Sequence, residues 1–224
     1  MPGPVWDADD PADTARILTN IADIVLAFGV DAPARQIPTL GVVAKWHEAV
    51  CRGCSLPVPR YAGHFRGDMT VPELVGYEVG VGPIRADGFP TRMGVWSYEV
   101  RPAVIALLSQ MRRALHVLDS QIPAGRPPSS AVELQAVANL SGVVHGEWVR
   151  IHPYANGNGR TARLWAAWMA KRYSLPIFVR VKPRPGDTDY AIASHLSMGR
   201  PPDFQGDHQA ARLVFAELLA KTIP

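Results

Sequence analysis

The sequence predicts a mainly α-helical fold with a small β-hairpin. Three observations support this: apolar residues recur at helical spacing along most of the chain, the composition is that of a globular protein, and one glycine-rich stretch alternates in the manner of strands. Of the 224 residues, 47% are hydrophobic and 19% are charged, the usual balance of a folded domain. This length and composition favour one compact unit.

Helical periodicity accompanied by end signals defines the predicted helices. The first covers residues 10–29, with Asp10 as N-cap, Pro11 at the first helical position and Gly29 as the stop. Another begins at Pro102. Trp165 and Trp168 follow helical spacing and are predicted as core residues. All the predicted helices are 10–29, 39–51, 102–118, 130–151, 159–173 and 208–223.

A β-hairpin is predicted between the second and third helices. Residues 75–84 and 91–97 contain short β-branched runs, and the segment between them, "RADGFP", holds an Asp-Gly turn signal. We expect a hairpin or an irregular flap here, and an extended or loop conformation for residues 176–187.

Charge and hydropathy exclude several classes of partner. The net charge of +3, from 23 basic and 20 acidic residues, is too small to indicate nucleic-acid binding. No apolar run approaches the length that spans a bilayer, and the acidic, proline-containing start "MPGPVWDADDPAD" does not resemble a secretory signal. We therefore expect a cytoplasmic protein without nucleic-acid or membrane partners.

The two cysteines, Cys51 and Cys54, form one C-x-x-C and provide no disulfide framework. With His47 and His64 they offer ligands for a zinc site, because His47 and Cys51 are four residues apart on a helix face. The spacing is loose, however, and a reduced pair at a helix end is the commoner outcome.

The segment from Arg150 to Trp168, "RIHPYANGNGRTARLWAAW", combines several features of a phosphate site. Gly157 and Gly159 let the backbone approach an anion, and the following helix directs its free N–H groups at that anion. Arg160 and Arg163 are three residues apart and share a face of the first helical turn. His152 supplies a neutral imidazole near pH 7 as a general base. This grouping suits transfer of part of a nucleotide to a hydroxyl.

Residues 152–163, "HPYANGNGRTAR", resemble the Fic motif, H-P-F-x-[D/E]-G-N-G-R-x-x-R. The resemblance extends upstream through "AGHFR" at 62–66 and the flap, and downstream through "DYAIASHLSMGRPPDF" at 189–204, so it covers most of the chain. It implies a Fic-like helical core with a hairpin flap. Residues 59–224 are accordingly assigned as the catalytic domain, and residues 1–58 as a helical segment packed on it.

The resemblance also implies an activity: transfer of AMP from ATP to a hydroxyl of a target protein, with His152 deprotonating that hydroxyl. A minority of the family transfers other phosphate-containing groups. Arg160 and Arg163 would hold the β- and γ-phosphates. Tyr190 could lie near the nucleotide base, although a surface turn at residues 187–190 is an equal alternative. The implied nucleotide- and phosphate-binding residues are Gly157, Asn158, Gly159, Arg160, Arg163 and Tyr190.

Two residues depart from the family motif. Tyr154 replaces the usual phenylalanine, and its hydroxyl needs a hydrogen-bond partner if it is buried. Asn156 replaces the Asp or Glu that binds a magnesium ion between the phosphates, and a neutral amide oxygen holds Mg²⁺ more weakly. Three readings follow: an AMP transferase with weakly bound Mg²⁺ at Asn156, a phosphotransferase or other-donor transferase, or a nucleotide- or partner-binding protein without turnover.

Two kinds of protein partner are considered. A target is expected to dock as an added strand along the flap, at Gly80, Val81, Gly82 and Ile84. Many family members are restrained by a helix of pattern [S/T]-x-x-x-E-[G/N]. Ser129 to Glu133 fits its first part, but Leu134 follows, and Glu133 is better interpreted as a helix N-terminal charge. We therefore expect either a separate inhibitory partner or no restraint.

Overall fold

The computed structural model describes residues 3–223, and this part of the chain contains seven α-helices and one two-stranded antiparallel sheet. The helices are α1 (Thr14–Asp31), α2 (Leu40–Val50), α3 (Ser97–Gln121), α4 (Ala131–Ile151), α5 (Asn158–Arg172), α6 (Thr188–Ser197) and α7 (Gln209–Thr222). The strands, β1 (Gly80–Ile84) and β2 (Pro90–Met93), lie between α2 and α3. The predicted mainly helical fold with a small hairpin is confirmed.

Helices α4 and α5 form the centre of the molecule. Every residue of α5 except Gly159 and Lys171 is buried, as expected of a helix surrounded on all sides by protein. Helix α4 packs against α3, α5, α6 and α7. Gly142 permits the close approach of α7, because a Cβ at this position would lie 2.8 Å from the carbonyl oxygen of Ala211. The loop between α4 and α5 is therefore held by the two most enclosed helices.

An aromatic cluster joins the N-terminal helices to α5. The ring of Trp46 in α2 lies 4.8 Å from that of Trp165 and 4.8 Å from that of Phe28 in α1, within the range of favourable edge-to-face and tilted contacts. Trp165 and Trp168 are buried, as predicted. The division of the chain at residue 58 stays a prediction, and the buried core is continuous across it.

Several predicted helix ends were wrong. Gly29 lies inside α1, which continues to Asp31, and the N–H of Ala32 still donates to the carbonyl of Phe28 beyond it. Pro11 starts a short 3-10 turn, Pro11–Asp13, although Asp10 caps it as expected through Ala12 N at 2.9 Å.

Helix α3 begins at Ser97, five residues before the predicted start at Pro102. The backbone N–H of Ser97 donates to both carboxylate oxygens of Glu78, at 2.9 and 3.2 Å. A carboxylate from a distant segment thus satisfies the N-terminus of this helix. Sequence periodicity alone contains no information about such a cap.

The hairpin is shorter than predicted, and one helix was missed. The strands are 80–84 and 90–93, whereas the predicted runs were 75–84 and 91–97. Residues 188–197 form α6, a helix that the sequence did not predict, and Tyr190 lies buried in it rather than in a surface turn.

Within residues 3–223, none of the helices combines the length and apolarity that crossing a lipid bilayer requires.

Candidate active site

The motif loop between α4 and α5 forms the floor of a cleft of about 680 Å³. Four parts of the chain enclose it: this loop, the start of the flap, α6 with the segment before it, and the N-terminal segment. Residues from outside the motif that line the cleft are Val5, Trp6, Asp7, Tyr77, Glu78, Val79, Gly80, Val81, Val149, Arg184, Tyr190, Ala191, Ser194, His195 and Met198. The cleft therefore brings His152, Asn156, Gly157, Asn158, Gly159, Arg160, Arg163 and Tyr190 together, as predicted.

His152 is the residue that ends α4, and its backbone is left-handed, with φ 54° and ψ 59°. A non-glycine residue pays a cost of order 1 kcal/mol for this conformation. Arg66, whose side chain is fully buried, offsets that cost by donating from Nε to the carbonyl of His152 at 2.7 Å and from Nη2 to the carbonyl of Ile151 at 3.1 Å. The guanidinium thus caps the C-terminal end of α4 and fixes the direction in which the chain leaves it.

The same guanidinium reaches the flap. It donates to the carbonyl of Val95 at 2.8 Å, to the carbonyl of Tyr77 at 3.1 Å and to Oε2 of Glu78 at 3.0 Å. Arg66 consequently makes five hydrogen bonds and links the end of α4 to both ends of the hairpin and, through Glu78, to the start of α3.

The imidazole of His152 is held in one tautomer. Nδ1 lies 3.1 Å from the carbonyl oxygen of Val149, an acceptor, so Nδ1 carries the proton and Nε2 keeps its lone pair. Burial and the nearby Arg66 guanidinium lower the pKa of His152 to about 4. At neutral pH the side chain is therefore an unprotonated imidazole in the cleft, as a general base requires.

The motif loop is closed by its own side chains. Asn158 is buried, accepts from the N–H of Tyr154 at 2.8 Å and donates to its carbonyl at 2.8 Å. The buried hydroxyl of Tyr154 donates to the carbonyl of Val43 at 3.1 Å, so it has the partner that the departure from phenylalanine demands. The side chain of Asn158 therefore shapes the loop, and its backbone N–H is what remains for an anion.

His47 supports the loop from beneath. Its ring stacks on Tyr154 with centroids 3.8 Å apart and an interplanar angle of 6°. Nδ1 accepts from the N–H of Gly63 at 2.9 Å, and Nε2 donates to the carbonyl of Asn156 at 3.0 Å. Both nitrogens are used, and burial lowers the pKa of His47 to about 3.

These contacts bear on the zinc alternative. With both nitrogens of His47 engaged, its ring offers no lone pair to a metal, and His64 pairs with Asp68 at 2.8 Å. Burial also raises the pKa of the Cys51 thiol to about 12, which disfavours the thiolate that zinc binds. The four residues do not form the proposed site.

The N-terminus of α5 provides the anion-binding part of the cleft. Gly157 is left-handed, with φ 80°, and precedes a helix whose first N–H groups have no intrahelical acceptor. A Cβ at Gly157 would lie 3.1 Å from atoms of both His47 and Arg160, so this glycine is also required for packing. The N–H of Gly157 donates to the side-chain oxygen of Asn156 at 2.5 Å. In this conformation one donor of the cradle is covered by the residue that departs from the family motif.

Arg160 has a partner that the sequence did not predict. Its two terminal nitrogens bind the carboxylate of Asp9, one at 2.9 Å and the other in closer contact, and Lys182 Nζ lies 3.4 Å from the same carboxylate. The Arg160 side chain is 8% exposed. The Arg160 guanidinium is thus paired with the N-terminal segment. It does not point into the phosphate site shared with Arg163 that the sequence predicted.

Arg163 is held on the other side of the helix turn. Its Nε donates to the carbonyl of Val181 at 2.7 Å, and Nη1 donates to the hydroxyl of Tyr190 at 3.0 Å. That hydroxyl lies 2.8 Å from Nε2 of the buried His145. Tyr190 therefore contacts and orients Arg163 within the cleft.

The flap presents β1 to solvent. All five of its residues, including Val81 and Pro83, are exposed. Strand β2 is anchored on its far side, because the N–H of Met93 donates to the carbonyl of Gly199 at 3.0 Å. Within residues 3–223 the outer edge of β1 pairs with no strand.

The residues around Asn156 fit a magnesium ion poorly. No group of three or more His, Cys, Asp or Glu side chains in the described part of the chain is arranged to hold a metal. The amide oxygen of Asn156 is neutral and already accepts from Gly157 N, whereas Mg²⁺ favours anionic oxygens.

Together the fold and the site define a helical domain with a helix N-terminus that opens into a cleft, a neutral histidine at its edge and an open hairpin beside it. Residues 102–170, which include the whole motif from His152 to Arg163, match the sequence model of the Fic/DOC family. This match confirms the resemblance to the Fic family that was stated from the motif.

Solved structures agree on the fold. A Fic-domain-containing signalling protein from Bacteroides thetaiotaomicron is 15% identical, with a TM-score of 0.58 over 96% of this chain and 70% of its own. BepC, a VirB-translocated effector protein of Bartonella tribocorum with bound AMPPNP, is 13% identical, with a TM-score of 0.53 over 96% of this chain and 94% of its own. Among curated proteins, none matches the chain.

Sequence reasoning missed four residues of the site: Asp9, Arg66, Glu78 and Arg184. Arg66 lies in the segment "AGHFR" that carried part of the resemblance. A basic residue beside a glycine and aromatic residues there could have indicated a site residue. Asp9 and Glu78 reach the site only through tertiary contacts, and local spacing contains no trace of these.

Gly94 packs against His152 and Arg66, and its substitution tests this packing. A Cβ there would be 2.5 Å from the Cβ of His152 and 2.7 Å from Nη2 of Arg66. We expect Gly94→Ala to displace both groups and to destabilise the fold by about 1–3 kcal/mol, measured as the urea midpoint. Gly29→Ala is the matched control: Gly29 lies inside α1 with open space around it, so this change should stabilise by about 0.5–1 kcal/mol. Equal effects of the two variants would contradict the packing described for Gly94.

Proposed function

We propose that this protein transfers AMP, or another phosphate-containing group, from a nucleotide to a hydroxyl of a target protein. The observation that carries the proposal is the neutral His152 imidazole, which faces the same cleft as the N-terminus of α5. The Fic/DOC match over residues 102–170 and the AMPPNP bound by BepC support ATP as the donor.

The proposed reaction assigns each step to a part of the site. Nε2 of His152 accepts the proton of the acceptor hydroxyl as the hydroxyl oxygen attacks the α-phosphorus of ATP. The bond from that phosphorus to the bridging oxygen breaks, and pyrophosphate leaves. The backbone N–H groups at the start of α5 and the Arg163 guanidinium stabilise the negative charge on the phosphates. The site would thus act by positioning and electrostatics.

The residue at position 156 bears on which donor the cleft accepts. Asn156 lacks the charge of the usual motif carboxylate, so a donor other than ATP, or transfer of the γ-phosphate, is the second candidate. A domain that binds nucleotide without turnover is the third. All three share the cleft and the α5 N-terminus. The first two differ in which group of the donor reaches the acceptor hydroxyl, and in the third no group is transferred.

The target protein is proposed to dock along β1. Main-chain pairing with Gly80, Val81, Gly82 and Ile84 would add a third strand to the hairpin and carry the acceptor hydroxyl toward His152. The exposed edge of β1 and its position at the rim of the cleft support this geometry.

The central test compares two histidines of one cleft. His152→Ala should lower transfer by roughly a hundred- to ten-thousand-fold, whereas His195→Ala, which changes another cleft histidine, should retain most activity. Incubation with ATP labelled at the α- or the γ-phosphate, followed by counting of protein-bound label, measures the transfer. Circular dichroism checks that both variants are folded.

The outcomes of that assay separate the candidates. Label from the α-phosphate supports AMP transfer, and label only from the γ-phosphate supports phosphorylation. Binding without label supports the third candidate. A folded His152→Ala protein with the wild-type rate would exclude His152 as the base.

The pH dependence of the rate follows from the lowered pKa of His152. Since its pKa is about 4, the base form predominates above that value and is lost as the pH falls through it. The transfer rate should therefore be flat from about pH 8 to pH 5.5 and decline only near pH 4, with no inflection near 6.5, the value for an unperturbed histidine. A single-turnover pH profile measures this, with circular dichroism at each pH. A midpoint near 6.5 in folded protein would contradict the environment described for the imidazole.

Asn156→Asp tests the metal directly. An anionic oxygen at this position would create a hard ligand for Mg²⁺, so transfer from ATP should rise and should need less magnesium than in the wild type. Titration of both forms with Mg²⁺, with the same acceptor, is the measurement. An aspartate variant that is slower at every magnesium concentration would indicate a donor site adapted to work without that carboxylate.

A further inference from the structure

The cations near the α5 N-terminus differ in how they are neutralised. The Arg160 guanidinium lies against the Asp9 carboxylate through both terminal nitrogens, and Lys182 shares that carboxylate. The Arg160 side chain is almost fully buried. A phosphate that recruited Arg160 would have to displace a buried ion pair, which is costly.

The segment that carries Asp9 is itself firmly placed. The N–H of Trp6 donates to the hydroxyl of Tyr77 at 2.8 Å, and the hydroxyl of Tyr61 donates to the carbonyl of Pro4 at 2.8 Å. The Trp6 ring is buried and stacks on Tyr61 with centroids 6.4 Å apart. Asp9 is therefore held against Arg160 by a segment whose Trp6 and Asp7 line the cleft.

Two other arginines of the cleft have no carboxylate partner in residues 3–223: Arg163 and Arg184. Their guanidinium carbons lie 5.9 and 5.6 Å from the ring centroid of Tyr190. Both cations therefore lie close to the same aromatic ring. Arg163 is buried and already oriented by Val181 and Tyr190, whereas Arg184 is exposed at the rim. An anion entering the cleft meets one buried and one exposed guanidinium.

We propose that Arg184, which lies outside the motif, is a phosphate-binding residue, and that Arg163 and Arg184 form the polyphosphate clamp of this cleft in place of Arg160 and Arg163. The inference rests on the proposed function, because it names the residues that would hold the donor's phosphate chain.

The charge balance of the site supports this assignment. Asn156 removes the carboxylate that would recruit a divalent cation, and Asp9 neutralises Arg160. A polyphosphate in this cleft would therefore meet less positive charge than the usual family motif provides. The Arg184 guanidinium, outside the motif, restores part of this positive charge. Its planar geometry suits bidentate contact with phosphate oxygens.

Binding of inorganic tripolyphosphate tests the clamp without a base or an acceptor. Calorimetry at low ionic strength, without metal, should give about a tenfold weaker Kd for Arg184→Gln than for the wild type, as expected for loss of a charged hydrogen bond. Arg112→Gln, an equal change of charge at an exposed position of α3, should bind within about twofold of the wild type.

A paired variant tests the exclusion of Arg160. Asp9→Asn combined with Arg160→Gln removes both charges of the buried ion pair and keeps the side chains similar in size. If Arg163 and Arg184 form the clamp, the paired variant should bind tripolyphosphate with a Kd within about threefold of the wild type. Circular dichroism checks that it is folded. Should this pair be unfolded, the comparison of Arg184→Gln with Arg112→Gln decides alone.

Three results would overturn the inference: a wild-type protein that does not bind tripolyphosphate, an Arg184→Gln protein that binds it normally, or a folded paired variant that loses as much affinity as Arg184→Gln. The labelled-ATP assay separates this from the proposed function. Binding that depends on Arg184, in a protein that transfers no label, leaves the clamp standing and removes the activity. Transfer of label by a protein whose tripolyphosphate binding does not depend on Arg184 would leave the proposed function standing and exclude the clamp.

Discussion

The contact between Arg66 and the last carbonyls of α4 is the constraint on which the site depends. A left-handed histidine at a helix end is unfavourable by itself, and the buried guanidinium that binds the carbonyls of Ile151 and His152 makes it the stable conformation. The same group holds both ends of the hairpin. The imidazole, the cleft and the flap are therefore positioned relative to one another by a single side chain, and a displacement of one is transmitted to the others.

The outline of the fold could be predicted because it is local. Helices α4, α5 and α7 were predicted within about two residues, since each combines apolar periodicity with a recognisable start, such as Ser130 at the N-cap of α4. The errors occurred where a distant group decides the outcome. The start of α3 depends on Glu78, and α6 is a short helix completed by its packing around Tyr190.

The candidate site shows the same division. The residues that spacing brings together, from His152 to Arg163, do meet in one cleft. What spacing cannot supply is the direction of each side chain. Arg160 and Arg163 are three residues apart on one helix, yet the first turns to Asp9 and the second to Val181 and Tyr190. Carboxylates and carbonyls contributed by other elements decide which guanidinium stays available for a ligand.

Pro83 in the exposed strand has a consequence for the behaviour of the protein in solution. An unpaired strand edge invites other chains to add to it without limit. Pro83 has no N–H to donate, and its carbonyl already accepts from Thr91 Oγ1 at 3.1 Å. An added strand would lose a hydrogen bond at Pro83, so its ladder would be continuous from Gly80 to Gly82 and interrupted before Ile84. The flap can therefore accept a short guest segment while resisting the extended pairing that leads to self-association.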